Sequence, residues 1–365
     1  MAAIAPAPSP ATDRRYAALD GLRGVAVLLV FCVHAAGNAG ALTLAFDVGA
    51  ARLTALTTTR ECVLFWLYRS HHGVFLFFLL SGFLIGRMWW PRPVMRYATF
   101  AWRRTLRIYP AFLLAFAASL LFAWGSGTWQ PPDVPRLAGN LLFLNGVPAS
   151  GVVAFNIVTW SLFYEMTFYL AFPAFALAAL AAGPRAGPAL WSTGVALPIV
   201  AVAFGADPLV LCWSLLFIGV ALAVHEARLG AFAARIPTAA VVLAYFAVTS
   251  LALFDVVPGA IAVPAFGAAA LLVVAKCLRQ DNAIAWLLTR PPLRALGRVS
   301  YSFYLVHWMV VVLVARAVAA HAAALGPVAE TLLIFAAGFS ASVVAAAALW
   351  WLAERPYFTW VTRRT

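Results

Sequence analysis

Charge is what this sequence lacks most. Aspartate and glutamate number 12 in 365 residues, lysine occurs once, and charged residues together make up 10% of the chain. A soluble domain carries about a quarter charged residues, so a soluble globular protein is excluded. Cysteine is scarce too. Cys32, Cys62, Cys212 and Cys277 form no CxxC pair and imply no disulfide framework; they read as small packing residues. No internal repeat is evident, which weighs against a transporter built from duplicated halves. RNA-binding motifs, zinc-finger spacings and basic helices outside the apolar runs are also missing. The net charge of +13 therefore does not point to nucleic acid.

What is there is apolar. Hydrophobic residues make up 65% of the chain, at a mean hydropathy of +0.94. They fall in repeated long runs that mark an all-α membrane protein, a polytopic helical bundle. The spans read as 20–37, 73–88, 108–124, 155–182, 189–204, 209–224, 238–254, 259–275, 300–324 and 328–352, about ten transmembrane helices. The basic residues test the topology. With the first helix starting inside, 20 of the 25 fall on the cytoplasmic side and Arg52, Arg60, Arg69, Arg136 and Arg316 fall outside. That bias fits the positive-inside rule with both termini cytoplasmic, in the plasma membrane.

The expected organisation is a disordered tail over 1–18, a transmembrane domain over 19–353 and a short tail over 354–365. Arg14 and Arg15 before the first run resemble the start of a signal peptide. Removing that run would reverse the charge topology, so it is read as a retained helix. Residues 38–72 are expected as an outer loop. Residues 89–107 and 276–299 are expected as basic inner segments.

Ionisable groups within the hydrocarbon cost kilocalories, so each is a functional candidate. They are His34, Glu165 and His307, with Arg23 nearer the inner face. Arg23 and His34 lie eleven residues apart, about 20° short of whole helical turns. They share one face roughly 16 Å apart along the axis, where one elongated ligand could touch both. A neutral imidazole can take a proton from a hydroxyl, which suits His34 to a general base; a satisfied core histidine is the alternative. Glu165 reads as a site carboxylate or as a helix-pairing one, and His307 as a site or a packing histidine. Asp20 and Arg23, three apart, are spaced to pair. Arg103, Arg104 and Arg107 are a topology signal or a phosphate site. Three histidines on separate segments are weak grounds for a metal, and none is expected.

Five segments resemble the integral-membrane acyltransferase 3 family: LDGLRGVAVLLVFCVH, GVFLFFLLSGFLIGR, RRTLRIYP, WSLFYEMTFYLAFP and SYSFYLVHW. They stand in the family's order across most of the chain. The resemblance implies a catalytic His34 with Arg23 as its motif partner, Arg104 and Arg107 as the donor-binding pair, and Glu165 as the helical acid; the arginine group itself adds Arg103 as a further expected donor contact. Candidate substrate contacts are Asp20, His71, Ser81, Tyr169, Tyr301 and His307. The sequence departs from the family at Phe75 and Met166, where acidic or polar residues are common. The implied reaction moves an acyl group, acetyl by default, from acyl-coenzyme A to a sugar hydroxyl of a glycan or glycoside. Acyl-coenzyme A is co-substrate, with no cofactor or metal, and an acyl-histidine variant stays open. The expected surroundings are the lipid bilayer and a carbohydrate acceptor. The rival reading is a transporter or flippase of a lipid-linked glycan, which needs no cytoplasmic R-x-x-R pair.

Overall fold

Apolar segments away from water must close their own backbone hydrogen bonds, and a helix does so within one segment. In the computed structural model, which describes residues 10–39, 58–69, 71–90, 96–131, 133–181, 208–253, 259–279, 281–362 and isolated positions between 183 and 196, every regular element is a helix. They are α1 (Pro10–Asn38), α2 (Thr59–Arg69), α3 (His72–Trp89), α4 (Tyr97–Gly125), α5 (Val134–Leu141), α6 (Trp160–Ala181) and α7 (Pro208–Val224). There follow α8 (Glu226–Arg235), α9 (Thr238–Leu253), α10 (Gly259–Cys277), α11 (Ala283–Leu288), α12 (Pro291–Arg298), α13 (Ser300–Ala319) and α14 (Ala322–Leu349). A π-helical turn, Trp350–Glu354, leads into α15 (Arg355–Thr362).

Among the described residues, six helices are long and apolar enough to cross a membrane, or seven if the pair α7–α8, bent by 91°, counts as one span. α9 and α10 contain shorter apolar helices. Each expected span falls on a helix except 189–204, most of which lies outside the described residues. Several boundaries move. α1 begins at Pro10, so residues 10–18 are helix rather than disordered tail. The expected outer loop contains α2, and the expected C-terminal tail contains α15. α4 begins at Tyr97, so Arg103, Arg104 and Arg107 stand on its first turns instead of preceding it.

Glycine sets the tightest approaches, as it does where helices pack without a hydrophobic driving force between them. A β-carbon on Gly82 would lie 2.0 Å from the Leu216 carbonyl oxygen, and one on Gly219 2.1 Å from that of Leu79. α3 and α7 are thus locked backbone to backbone. The LDGLRG stretch of α1 is held the same way: a β-carbon on Gly21 or Gly24 would lie 1.8 or 2.3 Å from the Leu288 or Leu293 carbonyl oxygen, and one on Gly297 1.8 Å from that of Asp20. The glycines of LDGLRG therefore seat α1 on α11 and α12, and Arg23, between them, turns away into the bundle.

Candidate functional site

Two cavities lie along α1. The first, about 500 Å³, is lined by Arg23 from α1, Ser81 and Arg87 from α3, and Arg104 and Arg107 from α4. Ser161, Glu165 and Tyr169 enter from α6, and Ser300, Tyr301 and Tyr304 from α13. Spacing explains the α6 set: residues four apart stack on one helix face. Arg104 and Arg107 share a face of α4 for the same reason. Arg103, the third expected donor contact, is not part of the lining, and neither is Asp20.

The guanidiniums are seated on rings. Arg104 lies over Tyr169 at 4.9 Å and Phe100 at 5.4 Å, with Nη2 3.1 Å from Met88 Sδ; Arg107 lies over Phe358 at 5.4 Å. Among the described residues, the ion pairs are Arg87 with Glu226 and Arg279 with Asp281, each at 2.6 Å. Neither involves Arg23, Arg104 or Arg107. Glu165 is the acid in the lining, and its Oε1 accepts hydrogen bonds from Ser81 Oγ at 2.6 Å and from the Tyr169 hydroxyl. The cavity therefore carries an excess of positive charge fit for an anion.

Glu354 is a neighbour that sequence reasoning missed. It is buried on the π-helical turn, and its Oε1 accepts from the Ser302 backbone N–H at 3.1 Å and from Ser302 Oγ at 2.5 Å. Its carboxyl also interacts through space with Arg107 and Arg23. The signal was an acid directly after an apolar run, but followed by Arg355 and Pro356 it reads as the start of a tail.

The second cavity, about 420 Å³, contains Val33, His34 and Asn38 of α1, Tyr68 of α2, His71, Trp160 and Trp308. Among the described residues no Asp, Glu, Lys or Arg lines it. Val74 and Tyr304 line both cavities and stand where they meet. Tyr304 is fixed there: its hydroxyl donates to the Val158 carbonyl at 2.5 Å and lies 2.8 Å from Ser161 Oγ. Asn156 ties the same region to α13, donating to the Leu305 carbonyl at 2.7 Å.

The expected common face of Arg23 and His34 is present, with one residue in each cavity. Ser81, Tyr169 and Tyr301 line the first cavity and His71 the second. His307 lines neither; its ring lies beside His34, with centroids 5.1 Å apart. His72 is buried elsewhere, against Tyr245 and Phe266. Among the described residues no three His, Cys, Asp or Glu side chains gather where they could hold a metal ion.

A multi-pass helical bundle with an arginine-bearing cavity beside a histidine-bearing one defines a membrane protein with polar chambers inside it, and ionisable groups at such depth mark a candidate functional site. The sequence profile described as an acyltransferase domain matches residues 16–351, and the chain belongs to that family, acyltransferase 3. It is also similar to the acyltransferase MdmB of Streptomyces mycarofaciens, at 34% identity over 164 residues, covering 44% of this chain and 38% of that relative. The matched part is thus well under half of that relative's length. No solved structure matches significantly.

Proposed function

We propose that this chain is an O-acyltransferase that moves an acyl group, acetyl by default, from acyl-coenzyme A to a sugar hydroxyl. The observation that supports it is the pairing of two unlike cavities that share Val74 and Tyr304: three arginines with no ion-paired carboxylate among the described residues in one, and His34 in the other. Arg104, Arg107 and Arg23 hold the phosphates of the donor. Its uncharged arm passes Val74 and Tyr304 and brings the thioester to His34. There His34 removes the acceptor proton as the hydroxyl oxygen attacks the thioester carbonyl. The carbon–sulfur bond breaks, and the imidazolium returns the proton to the departing thiolate. Glu165, held by Ser81 and Tyr169, orients the donor beside Arg104.

The aromatic lining of the second cavity, with Trp160, Trp308 and Tyr68, suits the apolar face of a sugar ring. The proposed setting is the plasma membrane, with about ten helices, both termini cytoplasmic, the donor entering from the cytoplasm and the acceptor from the outer side. The test is acetyl-coenzyme A turnover by protein in nanodiscs, read as free thiol released with a panel of glycan acceptors. Wild type is expected to release thiol only with an acceptor, and His34→Ala to lose at least about 100-fold. Coenzyme A binding without turnover on any acceptor, or full activity in His34→Ala, would overturn the mechanism. No coenzyme A binding at all would favour the transporter.

A further inference from the structure

His307 sits eight residues into α13, fully buried. Its Nδ1 lies 2.8 Å from the Tyr304 carbonyl oxygen and 3.1 Å from that of Phe303. Carbonyl oxygens only accept, so Nδ1 carries the proton. Nε2 is then a bare acceptor, and it is buried with no hydrogen-bond partner among the described residues. The ring is clamped by Phe303, stacked at 15°, and two polar rings lie next to it: Tyr304 at 5.9 Å, whose hydroxyl donates to the Val158 carbonyl, and His34 at 5.1 Å, tilted by 52°. His34 borders the second cavity and His307 does not.

We infer that His307 is a positioning residue for His34: its fixed Nε2 lone pair accepts the N–H of His34, so the other nitrogen of His34 faces the second cavity as the base. The inference rests on the acyl-transfer reading above. A neutral imidazole has one N–H and one lone pair, and either nitrogen can hold the proton. Only the tautomer with its proton toward His307 leaves a base facing the acceptor. The bond forms when the His34 ring turns toward its neighbour. His307 has no such freedom, because the backbone of its own helix holds it. A buried acceptor left bare is costly, so a residue placed this way is best explained by a donor that arrives during turnover.

Two substitutions and two readouts test it. His307→Phe removes the acceptor but keeps a ring stacked among Phe303 and its neighbours, so thermal stability should hold. His307→Gln puts an amide oxygen near the lost Nε2. The inference expects kcat to fall at least about tenfold in His307→Phe, with KM for the donor and coenzyme A binding unchanged. It expects His307→Gln to recover to within about threefold of wild type. The second readout needs no turnover. Histidine-selective ¹⁵N spectra, with the His34 signals assigned by their loss in His34→Ala, should show one His34 tautomer in wild type and His307→Gln. They should show a mixture in His307→Phe. An unchanged His34 tautomer in His307→Phe overturns the inference, as does equal loss of stability in both variants, which would mean packing alone. Failure of the acyl-transfer reading appears separately, as His34→Ala retaining activity.

Discussion

Arg104 is held by two aromatic faces and a thioether, and this decides what its charge is available for. A guanidinium paired to a carboxylate has its charge largely matched, as Arg87 has by Glu226 at 2.6 Å. Arg104, seated over Tyr169 and Phe100 with Nη2 on the Met88 thioether, keeps its charge and its remaining N–H groups for a ligand. Arg104→Ala should weaken coenzyme A binding by about 10–100-fold, the worth of a charge-assisted phosphate contact of about 1.5–3 kcal/mol. Arg103→Ala, one position along but outside the lining, should change it less than about twofold. Isothermal titration on the two variants measures the difference, and equal losses would argue for a general field over a built site. The R-x-x-R spacing made Arg104 and Arg107 legible from sequence, since three residues on a helix is one face. Arg103 was grouped with them because neighbours in sequence look alike until the helix phase is known.

At the scale of elements, apolar runs gave away most helices, because a segment without water must be helical whatever its neighbours. Close approaches were less visible. Gly82 sits in SGFLIGR like any small residue of a membrane helix, and only the packed backbone of α7 shows that its missing side chain is required. Gly82→Val should therefore unseat α3 from α7 and cost about 2–4 kcal/mol, seen as a lower thermal midpoint in detergent. Gly125→Ala, with nothing within 4 Å of the new carbon, is the control and should be neutral or slightly stabilising. Glu354 was illegible for a different reason. Its partner Ser302 lies 52 residues away, and a π-helical turn, which no local hydrophobic period announces, is what carries the carboxyl inward.

The whole molecule divides its polar groups by kind. Arginines and carboxylates stand at one end of α1, imidazoles and indoles at the other, and Val74 and Tyr304 stand between. This partition predicts that donor binding and acyl transfer are separable. Val74→Trp, filling the junction, should leave coenzyme A affinity within about threefold of wild type while acceptor-dependent thiol release falls about 100-fold or more. Parallel binding and turnover assays decide it, and undiminished turnover would mean that the donor takes another path. None of this was in the sequence as such. The common face of Arg23 and His34 was, but a periodicity says which side chains look the same way and not what stands between them.

That intervening wall has a consequence for which donors the protein can use. Arg23 and His34 are eleven residues apart on one helix, about 16 Å of rise, and the described residues common to their two cavities, Val74 and Tyr304, carry no charge to welcome an anion. A compact acyl phosphate would be held at the arginine end with its carbonyl far from His34. A long-tailed thioester anchored at the same spot would deliver its acyl group at full stretch. On the proposed reading α1 would serve as a ruler, setting by reach which donors can present an acyl group to His34.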